Sequence, residues 1–387
     1  MDDVDKNTGR ANPPFGGRGG SFIIAGGGTG GHIFPAIAIA NALKAKYGDA
    51  EILFVGAKGK MEMEKVPQAG YKIKGLDIAG YDRSSLIKNI SLPYKLIKSF
   101  MQVKKIVDEC KPDAVIGVGG YSSFPVLKYA QQKGIRTYIH ESNSFAGKSN
   151  ILLGKKATKI FTAGDGMEKF FPAEKIVITG NPVRKSISSA NMNKIGAVNF
   201  FGLNENKKTI LAVGGSLGAK TINEAMAAGL ETIAAKGFQL IWQTGKTTAD
   251  VFVAKGKAYS NVWVNDFITE MEKAYAAADV VISRAGAMAV AELCVVKKPV
   301  VFVPFPFAAE DHQTVNAMHL VNKGAALMVK DSEAKDKLMD TVLSLIDDEN
   351  KMQALQINIA KLAVTDADER IANEILGPLL RGGRIGK

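Results

Sequence analysis

Ser21-Phe22-Ile23-Ile24-Ala25-Gly26-Gly27-Gly28-Thr29-Gly30-Gly31-His32 sets the reading of the chain. A short apolar run meets six residues of which five are glycine, and a helical pattern follows. Apolar residues bounded by glycine read as a buried strand. Glycine between a strand and a helix lets an anion approach the backbone, where N–H groups and the positive end of the helix dipole meet its charge. The same order returns at Leu211 to Ala219, L-A-V-G-G-S-L-G-A. A third glycine loop, G-V-G-G-Y, spans Gly117 to Tyr121. One such loop can be a tight turn and nothing more. Three in one chain favour a phosphate-bearing ligand.

Outward from these loops, apolar runs alternate with amphipathic stretches. Strands are expected at 51–55, 114–118, 136–140, 159–162 and 175–179, with helices at 35–46, 94–109, 125–133 and 147–153. The second half repeats the scheme: strands at 209–213, 239–243, 262–264, 279–283 and 299–303, helices at 221–236, 270–278 and 289–295. Such alternation means a parallel sheet with crossover helices, so the fold class is α/β with two Rossmann-like domains. The expected division is a disordered tail over 1–20, an N-terminal domain over 21–184 and a polar linker over 185–206. A C-terminal domain over 207–362 and a final helix and tail over 363–387, packing back on the first domain, complete it.

With 387 residues, 46% hydrophobic and 23% charged, the chain has cores to build, which excludes a disordered or collagen-like protein. Fifty Lys and Arg against 38 Asp and Glu give a net charge of +12. That balance suits nucleic acid, an anionic membrane or phosphorylated substrates. Two cysteines, Cys110 and Cys294, exclude a disulfide framework and a cysteine-based zinc site. No apolar run reaches the roughly 18 residues of a membrane-spanning helix. Residues 1–20 are polar and lack the apolar centre of a signal peptide, so a cytosolic protein is expected.

The common cofactor readings are weak. Gly26, Gly28 and Gly31 spell G-x-G-x-x-G, but the second strand ends Val55-Gly56-Ala57-Lys58, with no acid for a ribose. None of the three loops carries the G-K-[ST] of a nucleotide triphosphatase. In the second half Arg284 lies at a strand's C-terminal end, where open α/β sheets place ligands, and Gly286 permits a turn into a helix carrying Glu292. That carboxylate could accept from both ribose hydroxyls, or be a solvated helix acid. Gln313 and Asn316 stand three apart, on one face of a helix, and amides suit sugar hydroxyls. Asp366 and Asp368 spell a D-x-D, which some glycosyltransferases use to hold a metal, but at a helix start capping is the better reading.

The motifs, taken in order, resemble the MurG family of bacterial N-acetylglucosaminyltransferases. They are G-G-G-T-G-G-H (Gly26 to His32), G-V-G-G-Y-S-S-F-P (Gly117 to Pro125), H-E-S-N (His140 to Asn143) and G-N-P-V-R (Gly180 to Arg184). G-G-S-L-G-A (Gly214 to Ala219), Q-T-G-K (Gln243 to Lys246), the Arg284 to Glu292 segment and D-H-Q-x-x-N-A (Asp311 to Ala317) follow. The resemblance implies a GT-B architecture, two such domains facing across a cleft, and transfer of N-acetylglucosamine from UDP-N-acetylglucosamine to a lipid-linked muramyl pentapeptide with inversion. Carried onto this chain, it implies that Arg184 and Ser216 meet the diphosphate and that Ile268 meets the uracil through its backbone. Glu292 would hold the ribose, Gln313 and Asn143 the sugar, and Ala287 and Met288 would turn N–H groups to the phosphates. Thr29, Gly30 and Gly31 would line the cleft from the other side, with Tyr121, His140 and Glu141 on the acceptor side. Ala289 and Ala291 stand where relatives often carry hydroxyls, and His312 where Gln is common.

Inversion in one displacement needs a base. His32 follows the first glycine loop at a helix start, where the dipole favours a neutral imidazole, and is the candidate. The alternative is a histidine that orders the loop or bonds a phosphate. No metal and no cofactor are expected. A lipid acceptor also implies docking on the cytoplasmic face of the inner membrane. Arg83, Lys88, Lys95, Lys98, Lys104 and Lys105, interleaved with apolar residues and no acid, suit an anionic surface. An amphipathic helix packed on the core would give the same pattern. A glycosyltransferase with another acceptor, a sugar-nucleotide epimerase, a nucleic-acid binder and, remotely, an NAD dehydrogenase are the rival readings. No nucleic-acid motif supports the third, and no nucleic-acid partner is expected.

Overall fold

The computed structural model describes residues 20–80, 92–188, 193–308 and 311–381. The apolar run of the opening stretch is β1 (Ser21–Ala25), an inner strand of a seven-stranded sheet. Its companions are β2 (Glu51–Ala57), β3 (Lys72–Leu76), β4 (Ala114–Gly117), β5 (Arg136–Glu141), β6 (Lys159–Thr162) and β7 (Ile176–Ile178). They lie in the order β3-β2-β1-β4-β5-β6-β7, and all pairs are parallel. The chain order reverses between β1 and β4, so the two glycine loops that follow these strands share the crevice where such sheets bind ligands.

A second sheet repeats the plan with β8 (Thr209–Val213), β9 (Gln239–Gln243), β10 (Val262–Asn265), β11 (Val280–Ser283), β12 (Val300–Phe302) and β13 (Leu327–Met328). Its order is β10-β9-β8-β11-β12-β13, again all parallel. Helices cover both faces of each sheet. Consequently the central strands β1, β4, β8 and β11 are apolar and buried almost without a break. Trp242, fully buried on β9, gives its indole N–H to Asn223 Oδ1 at 2.9 Å, which satisfies the one polar atom it brings into the core.

The Gly30–Lys46 helix begins five residues before the expected 35, and Pro35 lies inside it, where its missing N–H leaves the Gly31 carbonyl without the usual i+4 donor. Two strands escaped the sequence reading. Edge strand β3 alternates Lys72, Ile73 and Lys74, and β13 is two residues long. The polar 185–206 segment, read as a linker, carries the helices Lys185–Ser188 and Lys194–Phe200, and Ala197 and Val198 are buried in the second core. The Ala367–Arg381 helix packs on Gly30–Lys46, with Ile371, Ala372, Ile375 and Leu376 in one cluster with Phe22, Ile39 and Leu43. Lys159 and Glu374 add an ion pair there.

The Leu92–Cys110 helix buries Ser99, Val103, Ile106 and Val107 and leaves Tyr94, Ile97 and Met101 at 68%, 63% and 61% exposure. Both readings of this segment thus have residues to carry them. Lys98 pairs with Asp77 at 3.0 Å and Lys104 with Asp108 at 2.7 Å. Arg83 and Lys88 lie outside the described residues. Among the described residues no helix is long and apolar enough to cross a membrane.

Candidate active site

The first glycine loop is held from within. Gly26 N–H donates to Val55 O (3.1 Å), Gly27 N–H to Gly119 O (3.3 Å) and Gly28 N–H to Glu62 Oε2 (2.8 Å). A phosphate would therefore meet the helix start at Thr29, Gly30 and Gly31, whose N–H groups head the Gly30–Lys46 helix. The glycines of the second loop serve close approach. A Cβ on Gly120 would stand 2.4 Å from Gly27 O, and one on Gly26 2.5 Å from Gly119 O. The third loop repeats this against the Q-T-G-K segment, where a Cβ on Gly218 would stand 2.2 Å from Thr244 O.

His32, in the first turn and half-buried, places Nδ1 3.1 Å from Gly27 O and 3.5 Å from Thr29 Oγ1. Burial lowers its pKa below the ordinary histidine value and outweighs the opposite pull of Glu141, Gly27 O and Glu62. The ring is neutral at pH 7. Its edge faces Gly119, where a Cβ would stand 2.7 Å from Nε2, so glycine keeps that nitrogen clear.

The acceptor-side candidates separate. Tyr121 is 39% exposed and beside Gly28 and Gly80. His140 has no exposed surface, and burial pulls its pKa down to about 4. Glu141 is also buried and takes four hydrogen bonds: Asn143 N–H (3.1 Å) and Nδ2 (3.3 Å) on Oε1, Gly147 N–H (3.1 Å) and Asn150 Nδ2 (2.8 Å) on Oε2. It folds the 141–150 turn and so fixes Asn143.

In the second half, where Val183 and Ile187 pack in one cluster with Leu293 and Cys294, Arg184 donates Nε and Nη2 to Glu292 Oε1 at 3.2 and 3.1 Å, while Tyr275 gives its hydroxyl to Oε2 at 3.1 Å. The Arg184 guanidinium also lies 4.4 Å from the centroid of the Phe34 ring. Glu292, sequence-assigned to a ribose, is thus a buried member of an ion pair, and three of its four lone-pair positions are taken. Burial raises its pKa, opposed by Arg184. Ala287 and Met288 open the Ala287–Val296 helix, so their N–H groups have no partner within it. Ser216 is half-buried in the third loop. Ile268 N–H is taken by Gln243 Oε1 (3.0 Å), and Gln243 Nε2 reaches Gly215 O (3.0 Å). Gln313 Oε1 accepts from Phe305 N–H at 3.0 Å, which leaves its amide N–H groups as donors.

Glu62, Gln243, Tyr275, Asn316 and Ser144 were not singled out as site residues from sequence, apart from the shared face of Gln313 and Asn316. Ser144 Oγ donates to Asn316 Oδ1 (3.2 Å), and Asn316 Nδ2 to Ala285 O (3.1 Å), a second tie between the halves. A cavity of about 280 Å³ lies there, with Ser142, Asn181, Ala287, Asn316 and His319 in its walls. Arg284 holds the fold: its Nη1 donates to Val303 O and Pro304 O at 2.9 and 3.1 Å and pairs with Asp331. Among the described residues no three His, Cys, Asp or Glu side chains gather as a metal site.

Known proteins share this arrangement. Residues 22–162 match the glycosyltransferase family 28 N-terminal domain and residues 209–371 the family 28 C-terminal domain. The UDP-N-acetylglucosamine--N-acetylmuramyl-(pentapeptide) pyrophosphoryl-undecaprenol N-acetylglucosamine transferase of Phocaeicola vulgatus is 53% identical over 92% of this chain and 95% of its own. The crystal structure of Acinetobacter baumannii MurG superposes with a TM-score of 0.72 at 28% identity, over 92% of this chain and 99% of that one. A Neisseria meningitidis UDP-GlcNAc 2-epimerase bound to UDP-GlcNAc shares the fold alone, with a TM-score of 0.65 at 15% identity over 92% of this chain and 99% of that one. The chain belongs to glycosyltransferase family 28, in its MurG branch of N-acetylglucosamine transferases.

Proposed function

We propose that this protein transfers N-acetylglucosamine from UDP-N-acetylglucosamine to the C4 hydroxyl of undecaprenyl-pyrophosphoryl-N-acetylmuramyl pentapeptide, the step that completes the lipid-linked disaccharide of peptidoglycan. The observation that carries this reading is 53% identity to the Phocaeicola vulgatus transferase along 92% of the chain. In this reading the donor lies against the second sheet. Ser216 and the helix start at Ala287 and Met288 face the diphosphate, Ile268 the uracil, Glu292 the ribose, and Gln313 with Asn143 the sugar. Since Arg184 is joined to Glu292, its move to the diphosphate requires this pair to exchange partners as UDP arrives. Thr29, Gly30 and Gly31 approach from the first half.

His32 takes the acceptor hydroxyl proton as the glycosidic bond breaks, and UDP leaves stabilised by Arg184 and the helix dipole. In this reading the two domains close around both substrates. Tyr94, Ile97 and Met101, with neighbouring lysines, support peripheral docking on an anionic cytoplasmic membrane face. The experiment is stereochemical. Single-displacement inversion of the α-linked donor yields a β-1,4 disaccharide on the lipid, read from its anomeric proton coupling. An α linkage would rule out the proposed displacement.

A further inference from the structure

We infer that Glu62 is the positioning residue of His32: its buried carboxylate, acting through the one peptide group between Gly27 and Gly28, holds the imidazole in the tautomer that leaves Nε2 to accept a proton. The inference rests on the reading of His32 as the base.

The geometry is a short chain of contacts. Glu62 opens the Glu62–Gln68 helix and is 1% exposed. Its Oε1 accepts Ala57 N–H at 2.9 Å, where β2 ends, and its Oε2 accepts Gly28 N–H at 2.8 Å. The other end of that same peptide group is Gly27 C=O, 3.1 Å from His32 Nδ1. A carbonyl oxygen can only accept, so Nδ1 carries the hydrogen, and a neutral ring then has its lone pair on Nε2. Carboxylate, peptide and imidazole stand in line. Negative charge at one end polarises the peptide and strengthens its oxygen as acceptor at the other.

The packing leaves this carboxylate little alternative. A Cβ on Gly27 would lie 2.3 Å from Glu62 Cδ, and one on Gly56 2.5 Å from Glu62 Cγ. Both glycines admit the acid to the loop. Glu64, two residues on, has a side chain 66% exposed and pairs with Lys65, so only one acid of this helix is engaged in the site.

Other groups also face the His32 ring. Glu141 on β5 raises its affinity for a proton, as Glu62 does, and His312 on the His312–Val321 helix lowers it. His140 on β5 stays neutral above about pH 4. Tyr121 stands beside Gly28. Glu62 is distinct among them in bonding the peptide group that the imidazole bonds.

The test follows the histidine nitrogens directly. The chain has four histidines, which long-range 15N–1H spectra of 15N-histidine protein can resolve. Wild-type His32 is expected to carry its proton on Nδ1 at neutral pH. In Glu62→Gln the titration of His32 should move to lower pH and the Nδ1 preference weaken. Turnover should fall about tenfold or more, with the donor KM within a few-fold. The acid limb of the kcat profile should follow His32. Glu62→Asp, which keeps the charge, should restore part of the Nδ1 preference and of kcat.

A wild-type His32 protonated on Nε2 would overturn the inference without any variant. So would an unchanged tautomer and titration in a folded Glu62→Gln protein. His32→Ala with near-normal kcat is a separate result: it removes the base assignment, and with it any catalytic role for Glu62, even where the nitrogen spectra show the two residues coupled.

Discussion

His32 lies close enough to His140 to disfavour its protonation, yet the structure gives the two different work. His32 is at a helix start, half-buried and below its ordinary pKa, so it is neutral in the range where a base must be free. His32→Ala should lower kcat by about 10²–10⁴-fold and leave UDP-N-acetylglucosamine affinity nearly intact. Steady-state kinetics with calorimetric donor binding check this, and a kcat within a few-fold of wild type with weakened donor binding would refute the base. His140 is wholly buried, and its folded pKa of about 4 lies below the unfolded value of 6.5. Above pH 6.5 neither state binds the proton and stability is full. As pH falls toward 4 the unfolded chain alone gains it, and roughly 3 kcal/mol is lost. Urea unfolding at pH 7 and pH 5 should show this slope in wild type and lose it in His140→Asn. An equal slope in both would contradict the burial argument. The sequence marked both histidines through their motifs. It could not separate Glu62 from Glu64, because one buried acid in a polar heptapeptide has no periodicity to betray it.

At the scale of elements, strands with two covered faces were the most legible, since a continuous apolar run admits few other readings. The expected bounds 159–162, 209–213 and 239–243 coincide with β6, β8 and β9. Two of the four edge strands, β7 and β10, were expected at 175–179 and 262–264, while the other two were not legible: Lys72 and Lys74 make β3 look like a loop, and β13 is too short to alternate. Among helices, Ala334–Asp347 and Glu349–Ala360 were missed because surface charge masks their apolar stripe. The glycine loops were found, but their packing against one another depends on β4 lying beside β1, which composition does not announce. The Leu92–Cys110 helix carries two apolar faces at once. Replacing Tyr94, Ile97 and Met101 by Ser, Gln and Gln should leave UDP affinity and melting temperature close to wild type. Sedimentation with anionic phospholipid vesicles should fall several-fold, to the level given by the remaining lysines. Undiminished vesicle binding would remove this face from the docking account.

For the whole molecule, duplication was visible in the paired strand–glycine–helix openings, and the two parallel sheets with related strand orders bear it out. What joins the halves was not visible. Ser144–Asn316 links residues 172 positions apart, and Arg184, whose neighbours Val183 and Ile187 pack in the second core, sets its guanidinium against the Phe34 ring of the first half. Such contacts are set by how two finished domains meet, so no local pattern reports them. The fold alone is shared with a UDP-GlcNAc epimerase, and the chemistry therefore turns on the acceptor. The decisive measurement is UDP release from UDP-N-acetylglucosamine with and without undecaprenyl-pyrophosphoryl-N-acetylmuramyl pentapeptide. Release that depends on the acceptor, with one lipid-linked disaccharide formed per UDP, is the result this account predicts. Tight donor binding with no acceptor-dependent release, or formation of a 2-epimer without any acceptor, would contradict it.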